Sequence, residues 1–257
     1  MTQIALCSVI VITKNEEKNL ARCLRHIPKG WPKIVVDSQS EDETVSLAQS
    51  LGCDVYINPF ENFAAQKNFA LSKVKTPWVF SLDADEEFSG FTQLEQIIKS
   101  KGHEAFGFRV TRQLHFMGKL MRFGKTKDAP LRLFLREKAH FEGAIHESIK
   151  IAGAIAHIAG PSIIHYSYEN LSDYFNRFNR YTTEIAKNHR RRKKRAFLPT
   201  LVLRPWGEFI SRYFLRLGFL DGFPGYCYAL NSSLYAFIKY AKLYEYQNSH
   251  VKVDLDP

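Results

Sequence analysis

An α/β domain built around a parallel sheet, followed by a basic helical extension, is the fold class this sequence predicts, and three observations predict it. Short β-branched runs alternate with segments of helical apolar spacing as far as Asp83. The apolar run Trp78-Val79-Phe80-Ser81-Leu82 then opens abruptly into Asp83-Ala84-Asp85-Glu86-Glu87. Positive charge is concentrated after residue 165, where 15 Lys and Arg stand against 8 Asp and Glu, leaving 21 against 18 in residues 1–165. Strand–helix alternation favours parallel strands joined by right-handed crossovers, and ligands bind such sheets beyond the carboxyl ends of their strands.

The elements follow in order. Ser8-Val9-Ile10-Val11-Ile12-Thr13 is a continuous run of the kind found in strands buried on both faces. It ends in Lys14-Asn15-Glu16-Glu17, and apolar residues then recur at Leu20, Cys23, Leu24 and Ile27, predicting an amphipathic helix with Asn15 near its cap. The second unit has Lys33-Ile34-Val35-Val36-Asp37 as its strand and Ser40-Glu41-Asp42-Glu43 as a capping-box signature before Val45, Leu47, Ala48 and Leu51. A third strand, Asp54-Val55-Tyr56-Ile57, precedes a helix-like segment from about Ala64 to Lys73, and the fourth strand ends at Asp83, with Ser89 placed to cap the next helix. Asp37, Asp83 and Asp85 all fall at strand exits, where a ligand is expected.

Two carboxylates delivered to one side of a strand exit suit a hard divalent cation carrying phosphate oxygens, which points to chemistry on a nucleotide diphosphate. The competing interpretation of Asp83–Glu87 is an acidic helix start. Further along, Ala105–Val110 and Leu131–Arg136 alternate like strands, and His115 through Pro130 between them has the character of a loop that carries specificity.

The chain has 257 residues, 45% of them hydrophobic and 24% charged, which is ordinary for a folded protein and excludes disorder as the default. Cys7, Cys23, Cys53 and Cys227 form no C-x-x-C pair, so free thiols in a reducing compartment are expected. The N-terminal apolar run lacks a basic flank and a cleavage pattern and is interpreted as a strand, and no stretch approaches the roughly 18–20 apolar residues of a membrane span, so the expected location is cytoplasmic.

The net charge of +10 peaks at Arg190-Arg191-Arg192-Lys193-Lys194-Arg195. Phe197, Leu198, Leu201, Val202 and Leu203 follow, and Trp206, Phe209, Ile210, Tyr213, Phe214 and Leu217 are spaced to share one helical face, flanked by Arg212 and Arg216. A basic run beside such a face suits peripheral attachment to the inner face of a membrane, each basic residue contributing on the order of 1 kcal/mol near anionic lipid. The alternatives are an aromatic face packed on the α/β domain with a solvated charged turn, and nucleic-acid binding. Acidic residues at Asp83–Glu87 would repel a polyanion, so no nucleic-acid partner is expected.

Four ordered motifs carry a resemblance: Ser8–Glu17, Val36-Asp37-Ser38-Gln39-Ser40-Glu41-Asp42-Glu43-Thr44, Ala65-Gln66-Lys67-Asn68 and Leu82–Glu86. On these the chain resembles a family 2 glycosyltransferase of the GT-A, Rossmann-like fold. The segments Glu142-Gly143-Ala144-Ile145-His146-Glu147 and His165-Tyr166 are similar to those of bacterial lipopolysaccharide-core enzymes that add glucose to the inner-core heptose. The resemblance implies a GT-A catalytic domain with a mixed central sheet over residues 1–168 and a helical, basic and amphipathic membrane-associating extension over 169–257. It implies an inverting, metal-dependent transfer of a hexose, glucose from UDP-glucose, to that heptose or, alternatively, to a polyprenyl-phosphate, capsule or other glycan intermediate.

The resemblance also implies roles. Thr13, Asn15, Glu16 and Asp37 would surround the nucleoside, Asp37 accepting a hydrogen bond from the base, with Lys67 near the diphosphate and Asp83 near the ribose or metal. Asp83, Asp85 and His165 would ligate Mg²⁺ or Mn²⁺. Glu147 would be the general base, second in a pair whose first member here is His146, and Arg132 and His146 are acceptor-side candidates. Taken singly, each residue also has a plain structural interpretation: Asp37 ending a strand, Glu16 in a first helical turn, Lys67 on the surface, His146-Glu147 on a strand edge, His165 in the core.

Overall fold

The computed structural model describes residues 5–143 and 147–248. Its first elements are β1 (Cys7–Thr13), α1 (Glu17–Leu24), β2 (Lys33–Asp37), α2 (Thr44–Ser50), β3 (Asp54–Ile57), α3 (Phe63–Lys73) and β4 (Trp78–Asp83). Then come β5 (Glu86–Glu87), α4 (Phe91–Lys101), β6 (Gly107–Phe116), β7 (Lys119–Leu120), β8 (Lys127–Asp128), β9 (Leu131–Leu135), β10 (Ala139–Glu142), β11 (Ser148–Ile151) and β12 (Ile155–His165). Helices α5 (Leu171–Arg191), α6 (Leu198–Ile210) and α7 (Phe223–Asn248) complete the chain. Two compact units emerge, one of Met1–Gln113 with Asp128–His165, the other of Leu114–Lys127 with Tyr166–Pro257.

In the first unit the sheet runs β3-β2-β1-β4-β9-β6-β12-β5. The β3-β2-β1-β4 half is parallel, while β9 is antiparallel to β4 and β6, and β5 is antiparallel to β12, so the sheet is mixed. Successive side chains of a strand point to opposite faces, and β1 shows the consequence. Cys7, Val9 and Val11 enter a core with Leu20 and Cys23 of α1, Ala48 of α2 and Leu94 of α4, whereas Ile10 enters a second core with Ala64 and Ala70 of α3. Helices on both faces are why the parallel strands are apolar throughout. In register, Thr13 lies opposite Asp37, and Ile12 opposite Asp83, so three strand ends stand side by side.

Helix starts differ from expectation. Asn15 sits outside α1 at φ +54°, and the first amide of that helix, Glu17, donates to Asp42 at 3.2 Å rather than to a capping Asn15. The Ser40–Glu43 capping box does not form: α2 starts at Thr44, whose amide is taken by Asp42 at 3.0 Å, because the Ser40 hydroxyl is drawn to Asp37 instead. Gly90, not Ser89, precedes α4. The expected loop from His115 is partly strand, since β6 continues through Phe116.

In the second unit α5 is capped by Asn170, which accepts from the Asp173 amide at 2.9 Å. Phe116, Tyr168, Tyr174 and Tyr228 pack edge to face in its core. Buried Asp221 accepts from the Arg122 and Phe123 amides at 2.9 and 2.8 Å. The expected single face over Trp206–Leu217 is broken by a π-helical turn at Ser211–Leu215: Trp206, Ile210 and Phe214 are exposed, while Phe209 and Tyr213 turn to each other with ring centroids 5.3 Å apart. A second exposed stripe, Phe223, Tyr226, Leu230, Leu234 and Phe237, runs along α7 at helical spacing. Among the described residues no helix is long and apolar enough to cross a membrane.

Candidate active site

The loops leaving β1 and β2 clasp one another through their own polar side chains. Asn15 accepts from the Glu41 amide at 2.9 Å and donates its own amide to the Ser40 hydroxyl at 2.8 Å, and the Glu16 amide donates to Thr44 Oγ1 at 2.7 Å. Asp37 is the hub. Fully buried, it accepts from Thr13 Oγ1 at 2.9 Å, from the Ser40 amide at 2.7 Å and from the Ser40 hydroxyl. Of the four residues expected around a nucleoside, Thr13 and Asp37 are therefore buried in the framework, Glu16 is half-buried and Asn15 is exposed.

Asp83, at the end of β4, keeps its carboxylate 30% exposed between two buried cations. Lys67 Nζ donates to Oδ1 at 2.9 Å, and Arg132 Nη2 donates to Oδ2 at 2.6 Å. Burial acts to raise this carboxyl, but the Arg132 and Lys67 charges outweigh burial and hold it well below the usual carboxylate range. Lys67 also donates to Glu147 Oε1 at 3.0 Å, so one ammonium bridges the strand-end carboxylate and the nominated base. Burial would lower the Lys67 ammonium, yet the Asp83 and Glu147 charges leave it raised, so it stays protonated.

Arg132, expected on the acceptor side, instead lies buried between Asp83 and Glu86, to which it also donates. Glu86 is the residue sequence reasoning missed. It is fully buried, with Arg112 Nη1 at 3.1 Å and the Asp83 amide at 3.0 Å as further donors. Its carboxyl is raised, burial being the chief cause and Arg132 the main opposing one. The sequence carried one signal for this network: Arg132 is a charge within the otherwise apolar strand Leu131-Arg132-Leu133-Phe134-Leu135, where an unpaired guanidinium is untenable.

Asp85 and His165 face one another, Oδ2 and Nε2 lying 3.3 Å apart and each side chain 21% exposed. The pairing of β12 with β5 sets this up by placing His165 opposite Glu86. Among the described residues no three His, Cys, Asp or Glu side chains converge for a metal, and both oxygens of Asp83 are already held by cations. Asp85 and His165 are the carboxylate and imidazole that would hold a divalent ion here, a donor pair such an ion accepts. His146 lies outside the described residues.

Lys67 and the partly exposed Asp83, with Asp85 and His165 nearby at strand ends, form a polar cluster of the kind that suits a diphosphate-bearing substrate. The comparisons agree. The chain is 28% identical to the lipopolysaccharide core biosynthesis glycosyltransferase LpsC of Rhizobium meliloti, over 93% of this chain and 92% of that one. It is also 28% identical to an uncharacterised glycosyltransferase of Rickettsia typhi, over 93% and 86%. In fold it is similar to the mannosyltransferase PcManGT of Pyrobaculum calidifontis, solved with GDP-mannose and Mn²⁺, at a TM-score of 0.56 and 15% identity over 95% of this chain and 88% of that one. The sequence signature described as glycosyl transferase family 2 matches residues 8–161, which contain Asp37, Asp83, Asp85 and Glu147, and the chain belongs to that family of GT-A enzymes.

Proposed function

We propose that this glycosyltransferase moves a hexose, glucose from UDP-glucose, with inversion onto a heptose of the lipopolysaccharide inner core at a membrane surface. The observation that carries the proposal is the Lys67 bridge, which sets Glu147 and Asp83 on one ammonium at 3.0 and 2.9 Å. A base for the acceptor and a strand-end carboxylate for the donor thereby share one cluster. In the reaction the acceptor oxygen attacks the anomeric carbon as the bond to the diphosphate breaks, and Glu147 takes the hydroxyl proton. Asn15 and Glu16 line the nucleoside, with Thr13 and Asp37 holding the loops that present them. Asp85 and His165 would hold Mg²⁺ or Mn²⁺, which when bound neutralises charge on the departing diphosphate.

The likeness to LpsC supports a lipopolysaccharide-core acceptor. A membrane-bound acceptor is further supported by the exposed run Arg191–Arg195 beside Leu203, Trp206 and Leu215, which are 68%, 65% and 76% exposed. The test is UDP release from a panel of UDP-sugars with truncated lipopolysaccharide as acceptor, with and without Mn²⁺ or Mg²⁺. Metal-dependent, acceptor-stimulated release with UDP-glucose is expected, reduced at least about a hundredfold in Asp85→Ala and Glu147→Ala. Turnover with another donor, or with a polyprenyl phosphate or capsule acceptor alone, overturns the substrate assignment. Full activity in Glu147→Ala overturns its role as base.

A further inference from the structure

The second unit holds a half-open cavity of about 260 Å³, and none of its lining residues belongs to the donor-side set. Helices α5, α6 and α7 supply most of its wall, with Tyr174, Arg204, Arg212, Tyr228 and Lys239 among the lining residues. Three cations face one carboxylate, Glu208, and that carboxylate is already taken by Arg212 Nε at 2.6 Å. Arg212 is further fixed by donating to the Gly124 carbonyl at 3.0 Å and by lying 5.1 Å over the Tyr228 ring.

Arg204 and Lys239 are left over. Among the described residues neither has a carboxylate at ion-pair distance, and what they touch is aromatic: Arg204 stands 5.5 Å from the Tyr240 ring centroid, and Lys239 stands 5.3 Å from the same ring and 5.8 Å from Tyr235. His189 stacks on that ring at 5.7 Å, and its buried Nδ1 has no hydrogen-bond partner among the described residues. Burial and then the Arg204 charge depress the Lys239 ammonium, with Glu208 opposing them only in part, and burial followed by Lys194 and Lys239 depresses His189. Cations crowded so that they destabilise one another are relieved by an anion. Hydroxyl donors are present too, from Ser232 and from Tyr168, whose phenol is pushed up to about 12 by burial and so remains protonated.

We propose that this pocket is a phosphate site, binding a phosphoryl monoester or diester with Arg204 and Lys239 as cationic ligands and the Tyr168 and Ser232 hydroxyls as donors. A phosphoryl group fits because it offers several acceptor oxygens to donors converging from different helices, and charge-assisted bonds of this kind are the strong ones. The cavity is several times the roughly 30 Å³ share of a water molecule, which leaves room for part of the group that carries the phosphate. That carrier is either an anionic lipid headgroup or a soluble sugar phosphate.

The test reads binding alone, so it stands apart from the transfer reaction. Full-length protein is titrated with glucose 6-phosphate, with glucose as the blank, and is sedimented with phosphatidylcholine vesicles containing or lacking phosphatidic acid. The R204Q/K239Q variant is expected to lose at least about tenfold in affinity for whichever probe binds, and Arg204→Gln alone about threefold. R204K/K239R retains binding, as does K75Q/K101Q, which removes two exposed charges from the other unit. Loss with glucose 6-phosphate identifies a soluble phosphate ligand, and loss confined to phosphatidic acid vesicles identifies the headgroup. Wild-type protein that binds neither probe, undiminished binding in R204Q/K239Q, or an equal loss in K75Q/K101Q overturns the proposal.

Discussion

Replacing Arg132 by Met removes the guanidinium that joins Asp83 to Glu86 while keeping most of the side-chain volume. The side chain is only 5% exposed and Glu86 is fully buried, so water cannot replace what is lost. Breaking a buried charge pair from one side costs about 3–5 kcal/mol. The lower end applies here, because Glu86 keeps Arg112 and the Asp83 amide and Asp83 keeps Lys67. About 3 kcal/mol in a unit of this size lowers the melting temperature by roughly 6–12 °C. The pH dependence has a definite sign. Burial already raises the folded Glu86 carboxyl, and loss of Arg132 raises it further, so its stabilising contribution is present in acid and is lost as pH rises through the folded value. Asp83 is depressed by the same guanidinium, and its contribution is present above an unfolded value of about 4 and lost below it. Between about pH 5 and about pH 7.5 only the Glu86 effect acts, and it makes the deficit of the variant larger at the higher pH in thermal melts, while the Asp83 effect enters only below about pH 4. A deficit below about 1 kcal/mol, or one that grows on acidification, refutes the network as the support of the strand exits.

Gly225→Ala places a Cβ 2.0 Å from the Gly218 carbonyl oxygen and 3.0 Å from Asp221, and backbone yields little. The expected loss is about 3 kcal/mol in melts that follow the tyrosine-rich unit, and an unchanged transition counts against the tight seat of α7. Neutralising Arg190–Arg195 to Gln is expected to weaken flotation with anionic liposomes by roughly a hundredfold or more at low salt, and unchanged flotation removes the electrostatic part of membrane attachment. Lys67→Met is expected to lower kcat/KM for the donor by about a hundredfold or more, and near-normal turnover would show that the Asp83–Glu147 bridge is structural only.

The parallel half of the sheet was legible because strands covered on both faces must be apolar for five or six residues, and Ser8–Thr13, Lys33–Asp37 and Trp78–Asp83 announce themselves that way. The antiparallel half was not. Strand β5 is two residues long and lies within the acidic run, so no periodicity exists to find it, and its pairing with β12 brings His165 to the site from far along the chain. Residue types at strand exits identified Asp37, Asp83 and Asp85 as site candidates, but alternation tells which face a side chain occupies and not what it meets there. Hence Ser40 was assigned to a helix start when Asp37, three residues earlier, offered its hydroxyl and its amide a buried carboxylate. Hence also Glu86 passed as one more acidic residue, although it is the buried partner that permits Arg132 to lie inside the sheet.

An ammonium that orders a carboxylate also competes with the proton that carboxylate is meant to take. Lys67 holds Glu147 at 3.0 Å, so in the proposed reaction the base is oriented but not free while that contact lasts. A diphosphate brings several strong acceptor oxygens, and a 5%-exposed lysine anchored at 2.9 Å to Asp83 turns its remaining donors toward them without leaving its place. Two of its three N–H donors go to Asp83 and Glu147, so a first bond to the diphosphate uses the third, and only a further one is withdrawn from Glu147. In the proposed reaction, a diphosphate that draws more than that third donor would release the base, and without it the contact holds the base. The buried Arg132–Glu86 pair beneath keeps Asp83 fixed through this exchange, which is why a charge network that adds little net stability by itself is worth its place in the sheet.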